Sequence, residues 1–229
     1  MNYIPPLIVT SPNSNKINAS IIWLHGLGAD GYDFEPVAQQ LLQLPDFTNV
    51  RFILPHAPEM AVTRNNGYIM PAWYDIYGIT PISKEDEVGI KTSQQYINGL
   101  IQGEMDQGIS SERIILAGFS QGGAIALHTA LRYPQKLAGV LALSTYLPLH
   151  SSFTAEAQPA NEDIPIFMAH GTFDDVIRMD MSQVSLNFLK NYHYSIFWHE
   201  YNMAHSVCTK EITDIRDFIQ RILPQDLVE

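Results

Sequence analysis

Residues 114–133, IILAGFSQGGAIALHTALRY, carry two hydrophobic patterns in succession. Ile114 to Ala117 form an apolar run bounded by Gly118, as in a short buried strand. The pattern then changes to apolar residues at helical spacing as far as Pro134. Ser120 stands at the change, with Gly118 and Gly122 two positions to either side. Small residues there let a strand turn sharply into a helix and pack closely on its neighbours, which holds the serine hydroxyl above the sheet. The same turn aims the helix N-terminus, and the free N–H of Gln121, at any negative charge formed beside that hydroxyl. A surface serine on an ordinary strand–turn–helix is the competing reading of the pentapeptide. The flanking strand and helix favour a nucleophile.

Outward from this stretch, short apolar runs alternate with longer amphipathic ones. Ala19 to Leu24, Arg51 to Leu54, Gly139 to Leu143, Ile164 to Ala169 and Ser195 to Glu200 read as strands, and Tyr3 to Val9 as an edge strand weakened by Pro5 and Pro6. Helices are expected over about 33–44, over 85–108 with Val88, Tyr96, Ile97, Leu100, Ile101 and Met105 on the apolar stripe, over 180–191 with Asp180 as N-cap, and over 209–223. Such alternation predicts an α/β fold, a mostly parallel sheet with helices on both faces, whose sites form at the carboxyl ends of the strands. Only about twenty residues separate Ser144 from Ile164, too few for an inserted cap domain, so an open entrance is expected. The 229 residues, 46% hydrophobic and without repeat or linker, suit one domain over 1–229.

Composition excludes several function classes. A net charge of -11 argues against nucleic acid and against an anionic membrane surface, both of which reward Lys and Arg. Cys208 is the only cysteine, so no internal disulfide forms, and a small packed thiol is its expected role. No segment has the length of a membrane span and the N-terminus lacks a signal-peptide pattern, which makes the cytoplasm the expected compartment and stable membrane insertion unexpected.

A serine nucleophile needs a base and an orienting acid at the same sheet edge, and on a turn of this kind they follow in the order Ser, Asp, His. The loop His170-Gly171-Thr172-Phe173-Asp174-Asp175 leaves one strand and Tyr201-Asn202-Met203-Ala204-His205 leaves the last, both at the productive end. His193 precedes its strand and His199 lies within it. That leaves His205 as the late histidine in a productive loop, the expected general base. Of the adjacent acids, Asp174 lies earlier in its loop and is preferred, with Asp175 facing solvent. The glycine-rich loop His25 to Gly31 lacks both phosphate-binding spacings and reads better as an oxyanion loop. Residues 55–85 show no strong periodicity but crowd Tyr68, Met70, Trp73, Tyr74, Ile76 and Tyr77, as expected of a wall or lid; plugging the core edge is the alternative.

The motifs GFSQGG, LHGLGADG, PAWYDI, HGTFDD, LSTYLP and MAHSV, in this order over nearly the whole chain, resemble the phospholipase/carboxylesterase family of α/β-hydrolases, which includes acyl-protein thioesterases and small bacterial carboxylesterases. The resemblance implies Ser120 as nucleophile, Asp174 as acid, His205 as base and the N–H groups of Leu27 and Gln121 as oxyanion hole. It also implies an acyl channel lined by Met70 to Trp73 and by residues near Leu27, Leu147 and Ile177. Relatives often carry glycine just before the histidine, where this chain has Ala204. The implied reaction is two-step acyl transfer from a carboxylic ester or thioester, such as a small ester, a lysolipid or a lipidated protein, with no cofactor and no metal. A homodimer is compatible with this reading, and oligomeric state is not fixed by it. A receptor that binds acyl ligands without catalysis is the alternative on the same fold, and a peptidase or dienelactone-type hydrolase the alternative among enzymes.

Overall fold

A computed structural model describes residues 3–14, 16–78, 80 and 83–223. The chain forms strands β1 (Leu7–Thr10), β2 (Ala19–Leu24), β3 (Val50–Leu54), β4 (Glu59–Val62), β5 (Tyr68–Pro71), β6 (Ile114–Phe119), β7 (Gly139–Leu143), β8 (Ile166–Gly171) and β9 (Ile196–Tyr201). Its helices are α1 (Glu35–Leu42), α2 (Glu87–Asp106), α3 (Gln121–Ala130), α4 (Phe153–Glu156), α5 (Met179–Asn191) and α6 (Thr209–Ile222). Seven strands make one sheet in the order β1-β3-β2-β6-β7-β8-β9. Only β1 runs antiparallel, along β3. This is the α/β-hydrolase arrangement expected from the sequence, and between β7 and β8 there is only α4 with short 3-10 turns, not a cap.

Strand alternation divides the interior into two cores. Ile22 and Leu24 of β2, Leu116 of β6, Ala142 of β7 and Met168 of β8 point to the face covered by α2 and α3. Their neighbours Ile21, Trp23, Ala117, Leu141 and Phe167 point to the face that holds Ala38 and Leu41 of α1 and Ile215 and Phe218 of α6. Successive side chains on opposite faces, both buried, explain why these strands read as continuous apolar runs.

Several expectations need adjustment. β1 starts at Leu7, after Pro5 and Pro6, which have no N–H to give to a ladder. On α2 the buried apolar face is Ile90, Ile97 and Ile101, while Val88 lies 77% exposed in the first turn. Asp180 is not the cap of α5: Arg178 occupies that position, and the Asp180 carboxylate sits inside the first turn, paired with Arg178. The expected loop over 55–85 contains a hairpin, β4 paired antiparallel with β5. Its signal was the Asn66-Gly67 pair, whose φ values of 56° and 75° end the 3-10 turn Thr63–Asn65 and return the chain to β5.

Candidate active site

Ser120 lies between β6 and α3 with φ 54° and ψ -121°, a conformation that costs a non-glycine residue energy. The surroundings over-determine it. The Ser120 N–H donates to the Leu143 carbonyl at 2.8 Å, and the Ser120 carbonyl accepts from Thr145 Oγ1 at 2.6 Å and from the Ala124 N–H at 3.1 Å. The glycines make the turn sterically feasible. A Cβ on Gly118 would collide with the Gly122 carbonyl, and one on Gly122 with the backbone of Leu24 and His25. The strand-to-helix crossing is therefore too tight for any side chain at either position.

Two further loops arrive at Ser120 from the carboxyl ends of β8 and β9. The His205 Nε2 lies 2.9 Å from Ser120 Oγ, and His205 Nδ1 lies 2.7 Å from Asp174 Oδ2. The other carboxylate oxygen of Asp174 accepts the N–H groups of Val176 and Ile177 at 3.0 and 2.9 Å. That pair of amides fixes the carboxylate plane, so Oδ2 can only face the imidazole. Burial works to raise the Asp174 carboxyl, but the hydrogen bond and charge of His205, the Ile177 amide and nearby His170 outweigh it and hold the group below the ordinary carboxylate range. Asp175 is exposed and makes none of these contacts. The two loops are also tied together: Phe173 N–H donates to Met203 O at 3.0 Å, and Gly171 sits so close to Met203 and Ala204 that a Cβ would strike their carbonyls. Ala204 takes no positive φ, so alanine fits where relatives often have glycine.

The glycine-rich loop after β2 packs against the start of α3. The Gly28 N–H is taken by Pro71 O and the Ala29 N–H by Gly26 O, while the N–H groups of Leu27 and Gln121 enter none of the turn and cap bonds around them. Both residues line a groove of about 220 Å³ that also holds Ser120 and His205. His25 supports this loop. Its Nδ1 meets Gly26 O at 2.7 Å and its Nε2 accepts the Ala57 N–H at 3.0 Å, so the ring is neutral with the proton on Nδ1; burial pulls it down to about 4. The Gln121 side chain clamps the neighbouring segment, accepting from Trp73 N at 2.9 Å and donating to Tyr74 O at 2.7 Å.

Of the residues expected to line an acyl channel, Leu27 and Ile177 border the groove. Trp73 does not. It is fully buried, its indole N–H bonded to His25 O at 2.9 Å and its carbonyl to the Ser93 hydroxyl, so it is an anchor beneath the glycine-rich loop. Leu147 is likewise buried and borders a separate small cavity with His150 and Met181. Met70 pairs with Met60 across the hairpin and packs towards Gly28 behind the loop. The 55–85 stretch expected to form a wall supplies Tyr74 and Ile76; the walls that sequence reasoning missed are Phe119 and Tyr146, whose hydroxyl shares a bond of 2.9 Å with that of Tyr74. Tyr146 carried no local signal beyond the motif that contains it.

The assembly can activate a hydroxyl, store the proton on an oriented imidazole and hold an oxyanion on two amides. Known proteins share this build. The chain is 42% identical to acyl-protein thioesterase 1 of Neurospora crassa, covering 96% of this chain and 93% of that one. It is 39% identical to acyl-protein thioesterase 1 of Mycosarcoma maydis, with 98% and 99% covered. Among solved structures, Arabidopsis thaliana SOBER1 superposes with a TM-score of 0.85 at 32% identity, covering 89% of this chain and 98% of that chain. Zea mays acyl-protein thioesterase 2 gives a TM-score of 0.82 at 26% identity, covering 95% and 98%. No helix among the described residues is long and apolar enough to cross a membrane. Residues 6–223 match the phospholipase/carboxylesterase family model, and with these relatives along nearly its whole length the chain belongs to that family.

Proposed function

We propose that this ester hydrolase works through Ser120, His205 and Asp174 by acyl transfer, with a groove suited to acyl esters and thioesters. The observation that carries the reading is the continuous relay Ser120 Oγ to His205 Nε2 at 2.9 Å and His205 Nδ1 to Asp174 at 2.7 Å, opening on the groove. In this reading His205 accepts the Ser120 proton as Oγ attacks the carbonyl carbon. The carbonyl oxygen becomes an oxyanion held by the Leu27 and Gln121 N–H groups. Loss of one such donor typically costs about a hundredfold or more in rate. Collapse breaks the bond to the leaving oxygen or sulfur, which departs with the proton from His205. Water then attacks the acyl-Ser120 ester by the same route, and the free acid leaves.

Leu27, Phe119, Ile76 and Ile177 beside Ser120 suit an aliphatic acyl group. The thioesterase names of the fungal relatives support thioesters among the substrates. The test is labelling with a fluorophosphonate followed by peptide mass mapping, together with hydrolysis of acyl esters and thioesters of graded length. Modification confined to Ser120 with loss of all hydrolysis is expected. Labelling elsewhere, or turnover surviving full labelling, would overturn the assignment, and binding of acyl ligands without turnover would favour the receptor.

A further inference from the structure

One wall of the groove is not accounted for by acyl chemistry. Arg64 lines it beside Ile76, and its side chain is exposed at the rim. Every other arginine has a partner: Arg51 with Glu104, Arg113 with Asn18, Arg132 with Glu156, Arg178 with Asp180, Arg216 with Asp217, and Arg221 over the Phe197 ring. Among the described residues the Arg64 guanidinium alone has none of these, although 24 carboxylic residues stand against only 13 Lys and Arg in this chain. Arg64 is thus an unengaged cation on the groove that holds Ser120.

The backbone under it is fixed. The Arg64 N–H donates to Ile76 O at 2.8 Å, and the Asp75 carboxylate holds Thr63 through its N–H at 2.7 Å and its hydroxyl at 2.5 Å. The turn then closes through the left-handed Asn66. The backbone that carries Arg64 is therefore placed, while its exposed side chain has the reach to meet a ligand at the rim. The apolar walls suit the acyl chain, and Arg64 stands with Asp33 on the exposed polar part of the groove.

Resting on the hydrolase reading above, we propose that Arg64 recognises a negative charge, a phosphate or a carboxylate, on the leaving-group side of the ester or thioester attacked by Ser120. The net charge of -11 slows the approach of anions from a distance, so this contact selects at close range and does not steer. Planar guanidinium pairs with either oxyanion in bidentate fashion.

Three butyryl thioesters test this, with 2-mercaptoethanol, 3-mercaptopropionate and 2-mercaptoethyl phosphate as leaving thiols, the last two separating carboxylate from phosphate. Arg64→Gln is expected to lower kcat/KM on the anionic thioesters about tenfold more than on the neutral one, through KM. Arg64→Lys recovers part of the loss on the anionic pair, and added salt narrows the parent's preference. Equal losses on all three thioesters would overturn the proposal. Calorimetric binding of the same compounds to Ser120→Ala protein, with and without Arg64→Gln, reads the contact without turnover. Failure to hydrolyse any of the three would break the hydrolase reading alone, while an anionic preference in binding that ignores Arg64 would break this one alone.

Discussion

The floor of the groove and its hairpin wall are built by opposite means. The floor, from Gly118 through α3, is buried apart from half-buried Phe119, places glycines where backbone meets backbone, and holds Ser120 at a strained φ of 54°. The wall, residues 59–76, presents Tyr68 and Ile69 at 69% and 63% exposure on its outer side, while Val62, Ala72 and Trp73 share a core with α3 and the Gln121 side chain clamps the segment at Trp73 and Tyr74. Chemistry needs atoms fixed to fractions of an ångström, so the floor is over-determined. Substrate choice needs only a surface of suitable shape and charge, so the exposed outer part of the wall is free to vary.

The sharpest break between the two is at Ser120. Ser120→Ala removes one oxygen and leaves no sizeable cavity, so thioester hydrolysis is expected to fall roughly a hundred-thousandfold or more with an unchanged melting curve. A variant retaining a tenth of the parent rate would move the nucleophile elsewhere. Next comes the acid. Asp174→Asn can hold the imidazole only in the wrong tautomer and is expected to lower the rate about ten-thousandfold, whereas exposed Asp175→Asn stays within a few fold. A larger loss at Asp175, in variants of matched stability, would place the acid one residue along.

The wall is expected to respond in stability. Trp73→Ala empties a fully buried site and strips a hydrogen bond from His25 O, which is expected to cost about 3–5 kcal/mol. Rates per folded molecule then fall alike for short and long acyl chains; selective loss on long chains would return Trp73 to the groove. At the wall's outer face, Ile69→Ser changes stability by about 0.5 kcal/mol or less in chemical denaturation.

Between these lies a pH effect on the sheet face opposite α3, at Glu211 in the first turn of α6, just after the His205 loop. Burial raises its carboxyl to about 8, with nearby Asp214 adding and the Cys208 amide opposing. The folded protein keeps this proton where the unfolded chain, titrating near 4.5, gives it up. Stability from this group is complete below about 4.5 and declines as pH rises towards about 8. Glu211→Gln is therefore expected to flatten that decline and to stabilise the protein near pH 7 by about 1–3 kcal/mol in urea titrations. A decline of unchanged slope in the variant would assign the pH dependence to other groups.

The sequence by itself determined the parts governed by local pattern. Continuous apolar runs at β2, β6, β7 and β8 named a parallel sheet because both faces of each strand are buried. Glycine spacing named the turn at Ser120 because only glycine permits the crossing of β6 and α3. Chain order placed Asp174 and His205 in loops at the productive edge because a parallel sheet delivers all such loops to one side. Tertiary structure alone decided what depends on direction. Trp73, Met70 and Leu147 stand in stretches that border the site, yet hydrogen bonds and packing with His25, Gly28 and the core turn them away from the groove. Tyr146 is turned into it by the same kind of distant contact, its hydroxyl meeting Tyr74, and the turn that carries Arg64 is brought to the groove by bonds to Asp75 and Ile76. A periodicity fixes which face of an element a residue occupies, but in a loop there is no period, and a side chain's direction is set by partners tens of residues away.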